Sequence, residues 1–181
     1  MKIAITGHTA GIGKALAEIY ASLGHEIVGL SKREGNNIRN IPKICDQIES
    51  CDMFVNNAQA DFIQTELLFE MARRWENSGK HIIVISTMMT QRPVSPLLGP
   101  GVDQYWVQKV ALEEAVKQLR YRNIGVRFTI VRPGDIATSP NKTVPPSADV
   151  NNWAQTLMQI LTIGATNKLD IPDISLGPLH R

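Results

Sequence analysis

The sequence TGHTAGIG at residues 6–13 decides the fold, because of what lies on either side of it. The apolar run KIAI at residues 2–5 precedes it and is typical of a buried strand, and apolar residues at helical spacing follow it. Within the loop, Gly7 permits a tight turn, Gly11 lets the backbone approach a pyrophosphate, and Gly13 lets the helix pack on the sheet. Free amides at the start of a helix attract an anion, so we predict that this loop binds a dinucleotide. A plain tight turn between a strand and a helix is the alternative.

Strand and helix patterns alternate outward from this loop along the whole chain, with no repeat and no linker. This alternation predicts an α/β fold with a doubly wound, mostly parallel sheet between two helical layers, a Rossmann fold in a single domain over residues 1–181. In such sheets, ligands bind beyond the carboxyl ends of the strands. The predicted strands are 2–5, 26–30, 52–55, 81–86, 125–131 and a last one within 169–176. The predicted helices are 11–23, one from about 41, 62–76, 103–122 with Asp103 as N-cap, and 149–163. Residues 88–102 are predicted as a loop.

Composition excludes several classes of function. Apolar residues make up 43% and charged residues 20% of the 181, and 19 Lys and Arg against 17 Asp and Glu give a net charge of +2. No strong field therefore points to nucleic acid or to an acidic membrane surface. Cys45 and Cys51 are too few for a disulfide framework and match no familiar metal spacing, which predicts free thiols, no metal and a reducing compartment. We expect a cytoplasmic protein, because no run of about 20 apolar residues is present and the N-terminal run is too short for a secretory signal.

A helix predicted within QYWVQKVALEEAVKQL, residues 104–119, carries Tyr105 and Lys109 one turn apart on the same face. An ammonium close to a phenol favours the tyrosinate, which would lower the pKa of the tyrosine and make it useful as an acid or base. In isolation, the alternative is an ordinary amphipathic helix surface. By contrast, His8 of the glycine loop is predicted to be solvated rather than catalytic.

Five motifs, in this order, resemble the short-chain dehydrogenase/reductase family: TGHTAGIG (6–13), NNA (56–58), IST (85–87), YWVQK (105–109) and RPGDIAT (132–138). The resemblance extends across most of the chain, which is markedly shorter than is usual for the family. It implies an oxidoreductase that transfers a hydride between a nicotinamide cofactor and a small carbonyl or alcohol substrate. A non-catalytic dinucleotide-binding sensor or scaffold with the same fold is the alternative.

The resemblance also implies roles for individual residues. Tyr105 would be the proton donor, and Lys109 would bind the nicotinamide ribose while acting on the tyrosine. The hydroxyl that orients the carbonyl would be Ser86 or Thr87, with Thr87 in the aligned position, and the sequence does not separate the two. Ser95, in an extra segment before Tyr105, is a remote third choice.

The end of the second predicted strand bears on the choice of cofactor. An acidic residue there selects NAD by accepting hydrogen bonds from the adenosine ribose, but this chain has Ser31, Lys32 and Arg33. A hydroxyl and two cations suit a 2′-phosphate, which predicts NADP, whereas Glu34 keeps NAD open and a solvated basic turn is the alternative. The predicted cofactor-binding residues are Gly7, Thr9, Gly11, Ile12, Gly13, Ser31, Lys32, Arg33, Asn37, Ile38, Asn57, Ala58, Tyr105, Lys109, Pro133, Gly134, Ile136 and Thr138.

The chain also departs from the family pattern. The family has an asparagine in the helix after the fourth strand, but helix 62–76 has no asparagine and Gln64 is the nearest amide, so a water relay from Lys109 is remodelled or absent. For Asn57 and Ala58, a stabilising turn is at least as good an interpretation as contact with the ribose. The segment that covers the substrate in the family is small here, which suggests substrate contacts from 88–102 instead. Its candidate lining residues are Met88, Met89, Leu97 and Leu98.

Pairing into a homodimer or homotetramer is expected through the helices 62–76 and 103–122, with Trp106 as a further interface candidate.

Overall fold

The computed structural model describes residues 1–91, 101–138 and 147–178. A parallel sheet of six strands runs through these residues, and two short strands pair beside it. The strands are β1 (Lys2–Thr6), β2 (Glu26–Leu30), β3 (Met53–Asn56), β4 (His81–Ile85), β5 (Arg127–Pro133), β6 (Ile136–Ala137), β7 (Ala148–Asp149) and β8 (Asp173–Leu176). The helices are α1 (Gly11–Ser22), α2 (Ile41–Ile48), α3 (Ile63–Arg74), α4 (Val102–Tyr121) and α5 (Val150–Thr166), with short 3-10 helices at Lys32–Glu34 and Met88–Gln91.

The order of strands across the sheet is β2, β1, β3, β4, β5, β8, and every neighbouring pair is parallel. The order reverses beside β1, so the loop after β1 lies where crossovers leave to opposite sides of the sheet. In doubly wound sheets this switch point is the place where ligands bind. The predicted doubly wound parallel sheet is confirmed.

The sheet separates two apolar cores, because successive side chains of a strand point to opposite faces. On one face Phe54 and Ile82 pack with Trp75 under α2, α3 and α4. On the other face Val55 and Ile83 pack under α1 and α5. Every residue of β4 is buried, as expected for a strand that is covered on both sides.

Three local predictions are wrong at the level of single residues. The helix α4 is capped by Gly101, which has a left-handed backbone (φ 87°), and no side chain caps it, so Asp103 is not the N-cap but lies in the first turn. The predicted loop begins with a 3-10 helix at Met88–Gln91, and its residues 92–100 lie outside the described residues. The strand β5 begins at Arg127 and not at residue 125. Gly125 has φ 70° and packs against Asn77, so the chain still turns there before the strand begins.

Among the residues described, no helix combines the length and the apolar character that crossing a membrane requires.

Candidate active site

The glycine loop folds back on itself between β1 and α1. Gly7 has φ 72°, a left-handed backbone that favours glycine, and its amide donates to the Leu30 carbonyl at 2.7 Å. A side chain on Gly13 would clash with the Gly7 carbonyl oxygen and would lie 2.7 Å from Nδ2 of Asn57. The loop is therefore closed by backbone contact, which leaves no room for a larger residue at its start or at its end.

Asn57 ties the ends of β1 and β3 together. Its side-chain amide donates to the Thr6 carbonyl at 2.9 Å, and the amides of Asn57 and Ala58 both donate to the Thr6 hydroxyl at 3.0 Å. These bonds favour the interpretation of Asn57 as a residue that stabilises the turn. It lies at the carboxyl edge of the sheet, and Asn57 also lines the larger of the two cavities described next.

Two cavities lie along the carboxyl edge of the sheet, and Gln59 lines both. One, of about 540 Å³, lies at the ends of β1 and β2. The other, of about 610 Å³, lies at the ends of β4 and β5. Of the predicted residues, the smaller cavity is lined by Gly7, Thr9, Ser31, Lys32, Arg33, Asn37, Ile38 and Ala58, and the larger by Ile12, Asn57, Ser86, Thr87, Tyr105, Lys109, Pro133, Gly134, Ile136 and Thr138. Gly11 and Gly13 line neither cavity and act within the turn.

At the smaller cavity, Ser31 is buried while the side chains of Lys32 and Arg33 are exposed at the rim. The Ser31 hydroxyl lies 3.0 Å from that of Thr9 and accepts from the Arg33 amide at 3.2 Å. The two cations are held at the mouth by a short 3-10 helix that begins at Lys32.

The prediction that His8 is solvated is wrong. Its imidazole lies directly on Gly29, where any side chain would clash with the ring, and Nε2 lies 3.2 Å from the Glu34 carboxylate. The His8 side chain is only 19% exposed. Glu34, the residue that keeps NAD open, is therefore paired with His8 and does not line the smaller cavity.

Lys109 is buried at the larger cavity, on the α4 turn that follows Tyr105. Its ammonium donates to Oε1 of Gln64 and to the Ile85 carbonyl, both at 2.8 Å, and lies 5.7 Å from the centre of the Tyr105 ring. Burial lowers the pKa of Lys109 to about 8, although the nearby Glu113 carboxylate partly opposes this. Two of the three ammonium N–H donors are thereby used, which leaves one for a ligand.

The expected lowering of the Tyr105 pKa is not found. Burial raises the pKa of Tyr105, and a hydrogen bond with Thr87 only partly opposes the rise. The removal of the phenol from water therefore outweighs the hydrogen bond with Thr87. At neutral pH the phenol carries its proton.

Gln64 contacts Lys109 in a way that the sequence did not reveal. Its side chain is buried, accepts from Lys109, and donates to the carbonyls of Asn56 at 2.7 Å and Ile85 at 3.1 Å. Lys109 therefore contacts this amide directly. Gln64 was the nearest amide in the sequence, but its reach across to α4 could only be seen in the fold.

The two hydroxyls after β4 have different partners. Ser86 is buried and donates to the carboxylate of Glu113, whereas Thr87 accepts from the Met89 amide at 3.3 Å. Both line the larger cavity with Tyr105, and it is the Thr87 hydroxyl that acts to lower the pKa of the Tyr105 phenol.

Sequence reasoning gave no role of its own to Glu113 or Arg132. They form a buried ion pair behind Ser86, with Arg132 Nη2 2.8 Å from Glu113 Oε2. The signal was present, because Glu113 follows Lys109 by four residues and so lies on the same helix face as Tyr105 and Lys109.

The segment 88–102 is described only in part. Met89 lines the larger cavity, and its carbonyl accepts from the Trp106 indole at 3.1 Å, so this indole nitrogen is used within the chain. Met88 instead packs its sulfur against Gly134 and Gly177. The candidates Ser95, Leu97 and Leu98, and residues 139–146 of the short covering segment, lie outside the described residues.

No protein-family model matches the sequence, and no curated protein matches it either. Solved structures do resemble the fold. A short-chain dehydrogenase/reductase from Vibrio parahaemolyticus matches with a TM-score of 0.76 at 17% identity, covering 98% of this chain and 100% of that one. A short-chain dehydrogenase from Burkholderia cenocepacia J2315, solved with NADP, matches with 0.73 at 15% identity over 97% and 87%.

The 3-alpha-hydroxysteroid dehydrogenase from Pseudomonas sp. B-0831, solved with NADH, matches with a TM-score of 0.70 at 17% identity, covering 97% of this chain and 95% of that one. At such low identity, these likenesses establish the fold alone. The chain has the fold of the short-chain dehydrogenase/reductases, as the five motifs predict.

Proposed function

From the fold of the short-chain dehydrogenase/reductases, we propose that this chain is a shortened member of that family and an NADP(H)-dependent oxidoreductase acting on a small carbonyl or alcohol. One observation carries the proposal: Tyr105, Thr87 and Lys109 meet in a single cavity that adjoins the glycine loop. A protein that only binds a dinucleotide has little need for a partly buried phenol beside a hydroxyl and an ammonium.

The residues of the two cavities fit an extended dinucleotide. The cavities adjoin through Gln59, and the smaller one offers a buried hydroxyl and two cations at its rim, whereas the larger one offers Tyr105 and Lys109. The adenosine half would lie at Ser31, and the nicotinamide half near Ile136 and Thr138. A nicotinamide dinucleotide, when bound, supplies a hydride to a carbonyl carbon or accepts one from an alcohol carbon.

The side chains of this chain supply the proton and the orientation. In carbonyl reduction, the phenol of Tyr105 gives its proton to the oxygen that becomes the alcohol hydroxyl, and it takes a proton back in the reverse direction. The phenol carries this proton at neutral pH, because burial raises the pKa of Tyr105. The Thr87 hydroxyl lies beside the phenol and can hydrogen-bond to the same substrate oxygen.

The preference for NADP rests on charge at the end of β2. Lys32 and Arg33 are exposed there, none of the described residues that line the cavity is acidic, and the Glu34 carboxylate is paired with His8. Two cations beside a buried hydroxyl suit a 2′-phosphate better than a ribose hydroxyl. One of the structural neighbours was solved with NADP and another with NADH, so the neighbours are compatible with either cofactor.

We further propose one domain over residues 1–181, a cytoplasmic location, and a homodimer or homotetramer formed through α3 and α4. Three large apolar side chains at these helices are exposed by nearly half, namely Phe62 (45%), Phe69 (44%) and Val107 (47%), which supports pairing there.

The test combines binding with turnover. Titration with NADPH is followed by nicotinamide fluorescence, and oxidation of NADPH is followed by absorbance with a panel of aldehydes and ketones. We expect wild-type protein and Tyr105→Phe to bind NADPH equally, and turnover to fall by about a hundredfold or more in the variant, because the proton donor is lost. Tyr121→Phe is the matched control, since Tyr121 is 90% exposed on the same helix. Equal turnover by Tyr105→Phe and wild type contradicts the proposal, and NADPH binding with no turnover of any carbonyl favours a sensor or scaffold.

A further inference from the structure

A buried ion pair lies directly behind the candidate catalytic residues. The Glu113 and Arg132 side chains are only 8% and 10% exposed, and both Nε and Nη2 of Arg132 donate to Oε2 of Glu113, at 3.0 and 2.8 Å. On its other side, Nη1 of Arg132 lies 2.8 Å from Oδ1 of Asp173. The free energy needed to remove two charges from water is about as large as the free energy gained from their attraction. Apolar residues of similar size therefore often stabilise a fold equally well. The pair therefore calls for an explanation other than stability.

The second oxygen of Glu113 holds the turn that carries Thr87. Oε1 accepts a hydrogen bond from Ser86 and lies 2.7 Å from the Thr90 hydroxyl, whose one proton is shared with the Thr87 carbonyl at 2.8 Å. Ser86 and Thr90 flank the turn, so one carboxylate oxygen contacts both of its ends. Thr87, between them, is left to face Tyr105.

Glu113 also bears on the charge of Lys109. The two residues are one helical turn apart on the same face of α4, and both are buried. Gln64 on α3 and the Ile85 carbonyl on β4 contact the ammonium but are neutral, and Tyr105 on α4 carries its proton. Among residues 1–91, 101–138 and 147–178, the other charged groups on this side are Arg132 on β5 and Asp173 on β8, both bound into the network of Glu113. The negative charge of Glu113, one helical turn away, favours the ammonium form of Lys109 over the neutral amine.

We propose that Glu113 is a positioning residue of the active site, which holds the Ser86–Thr90 turn so that Thr87 faces Tyr105 and which keeps Lys109 in its ammonium form. The proposal rests on the proposed function for the roles of Tyr105, Thr87 and Lys109. It assigns Arg132 the part of orienting the carboxylate, and it explains why a buried charge occurs at a position where a leucine would fit the pattern of the helix.

The charge of Lys109 can be measured without any turnover. Nitrogen-15 NMR of the lysine ammonium groups, titrated against pH, gives the midpoint for Lys109, with Lys109→Arg to assign the signal. Burial and Glu113 together place this midpoint at about 8 in the wild type. We expect Glu113→Gln to lower it by about one pH unit, because the carboxylate charge is removed while the shape is kept. Glu114→Gln, on the exposed face of the same helix, is the matched control and leaves the midpoint unchanged.

The direction of the change separates the proposal from a merely structural role. If Glu113 only packs, its replacement loosens the interior, lets water reach Lys109 and moves the midpoint up towards its ordinary value. An unchanged or raised midpoint therefore overturns the charge role. If wild-type protein turns over no carbonyl, the proposed function fails, yet this titration still decides what Glu113 does to Lys109.

A pair of double variants avoids an unpaired buried arginine and tests the turn. E113Q/R132M keeps an acceptor for Ser86 and Thr90, and E113L/R132M removes it; in both, Asp173 retains Arg120 at 3.0 Å. At pH 8 a midpoint lowered by one unit reduces the protonated fraction of Lys109 about fivefold, so kcat/KM should fall by that factor in Glu113→Gln, with little change at pH 6. In E113Q/R132M the positive charge of Arg132 leaves together with the carboxylate, so the fall at pH 8 should be smaller. E113L/R132M should lose about a further tenfold in kcat at both pH values, because Thr87 is no longer held. Equal kcat in the two double variants at pH 6 overturns the positioning of Thr87.

Discussion

His81 makes a specific prediction about stability in acid. It begins β4 and is buried, with Nδ1 3.1 Å from Nη2 of Arg127 and Nε2 2.9 Å from the Thr129 hydroxyl. Arg127 can only donate, so Nδ1 is the acceptor and the ring is neutral with its proton on Nε2. A second proton would have to be placed on Nδ1, facing the guanidinium.

Burial and the Arg127 charge lower the pKa of His81 from 6.5 to about 4. The unfolded chain therefore binds a proton that the folded chain refuses, and stability is lost as the pH falls from above 6.5 towards 4. The full loss is about 3 kcal/mol, and about 2 kcal/mol of it is reached by pH 5. The stability that depends on neutral His81 is complete above pH 6.5.

Urea unfolding at pH 8 and pH 5, followed by the fluorescence of the buried Trp75 and Trp153, measures this loss. We expect His81→Gln, which can still donate to Thr129, to be less stable than wild type at pH 8 but to lose about 2 kcal/mol less between the two pH values. His25→Gln is the control, because His25 lies beside the amino terminus outside the sheet. If His81→Gln and wild type lose the same stability between pH 8 and pH 5, the reasoning from the buried neutral ring is refuted.

Three further predictions concern the site. Gln64→Leu leaves an ammonium N–H of Lys109 without its acceptor, so kcat/KM should fall about tenfold and the alkaline limb of its pH profile should move to lower pH. Gln64→Asn has a shorter amide and should give an intermediate kcat/KM. An unchanged pH profile in Gln64→Leu would show that Gln64 only packs. Replacing Lys32 and Arg33 together by alanine should weaken NADPH binding by about tenfold to a hundredfold with little effect on NADH, measured by fluorescence titration, and equal losses for both cofactors would exclude a 2′-phosphate site. Gly13→Ala should cost about 1–3 kcal/mol in urea unfolding and weaken NADPH binding, because its side chain has no space against the Gly7 carbonyl, and wild-type stability would contradict that contact.

Most of the fold could be predicted because it depends on patterns local to each segment. The glycine loop, the fully buried β4 and the amphipathic helices can each be recognised from a few consecutive residues. Their alternation is compatible with few topologies. The errors arose where a contact from a distant segment decides the local structure. The strand β5 starts late because Gly125 packs on Asn77, which lies almost fifty residues earlier in the chain.

The candidate site was predictable for the same reason and to the same limit. Tyr105 and Lys109 share a helix face, which spacing alone reveals, and the ends of parallel strands must meet at one edge of the sheet. The polar network behind them was not predictable, because Gln64, Glu113 and Arg132 come from three different elements and their partners depend on side-chain geometry. The direction of the Tyr105 pKa shift expected from Lys109 was wrong for a related reason. Spacing shows a neighbouring charge but does not show how much water burial removes from the phenol.

The imidazole resting on Gly29 has a consequence for redesigning coenzyme preference. Any residue with a side chain at position 29 must displace the ring of His8, and a displaced ring releases Glu34 in the short 3-10 helix after β2. Positions 8, 29 and 34 are in contact, so their substitutions should be coupled in double-mutant cycles rather than additive. A library that varies all three positions together therefore samples combinations that a library with His8 held constant leaves out.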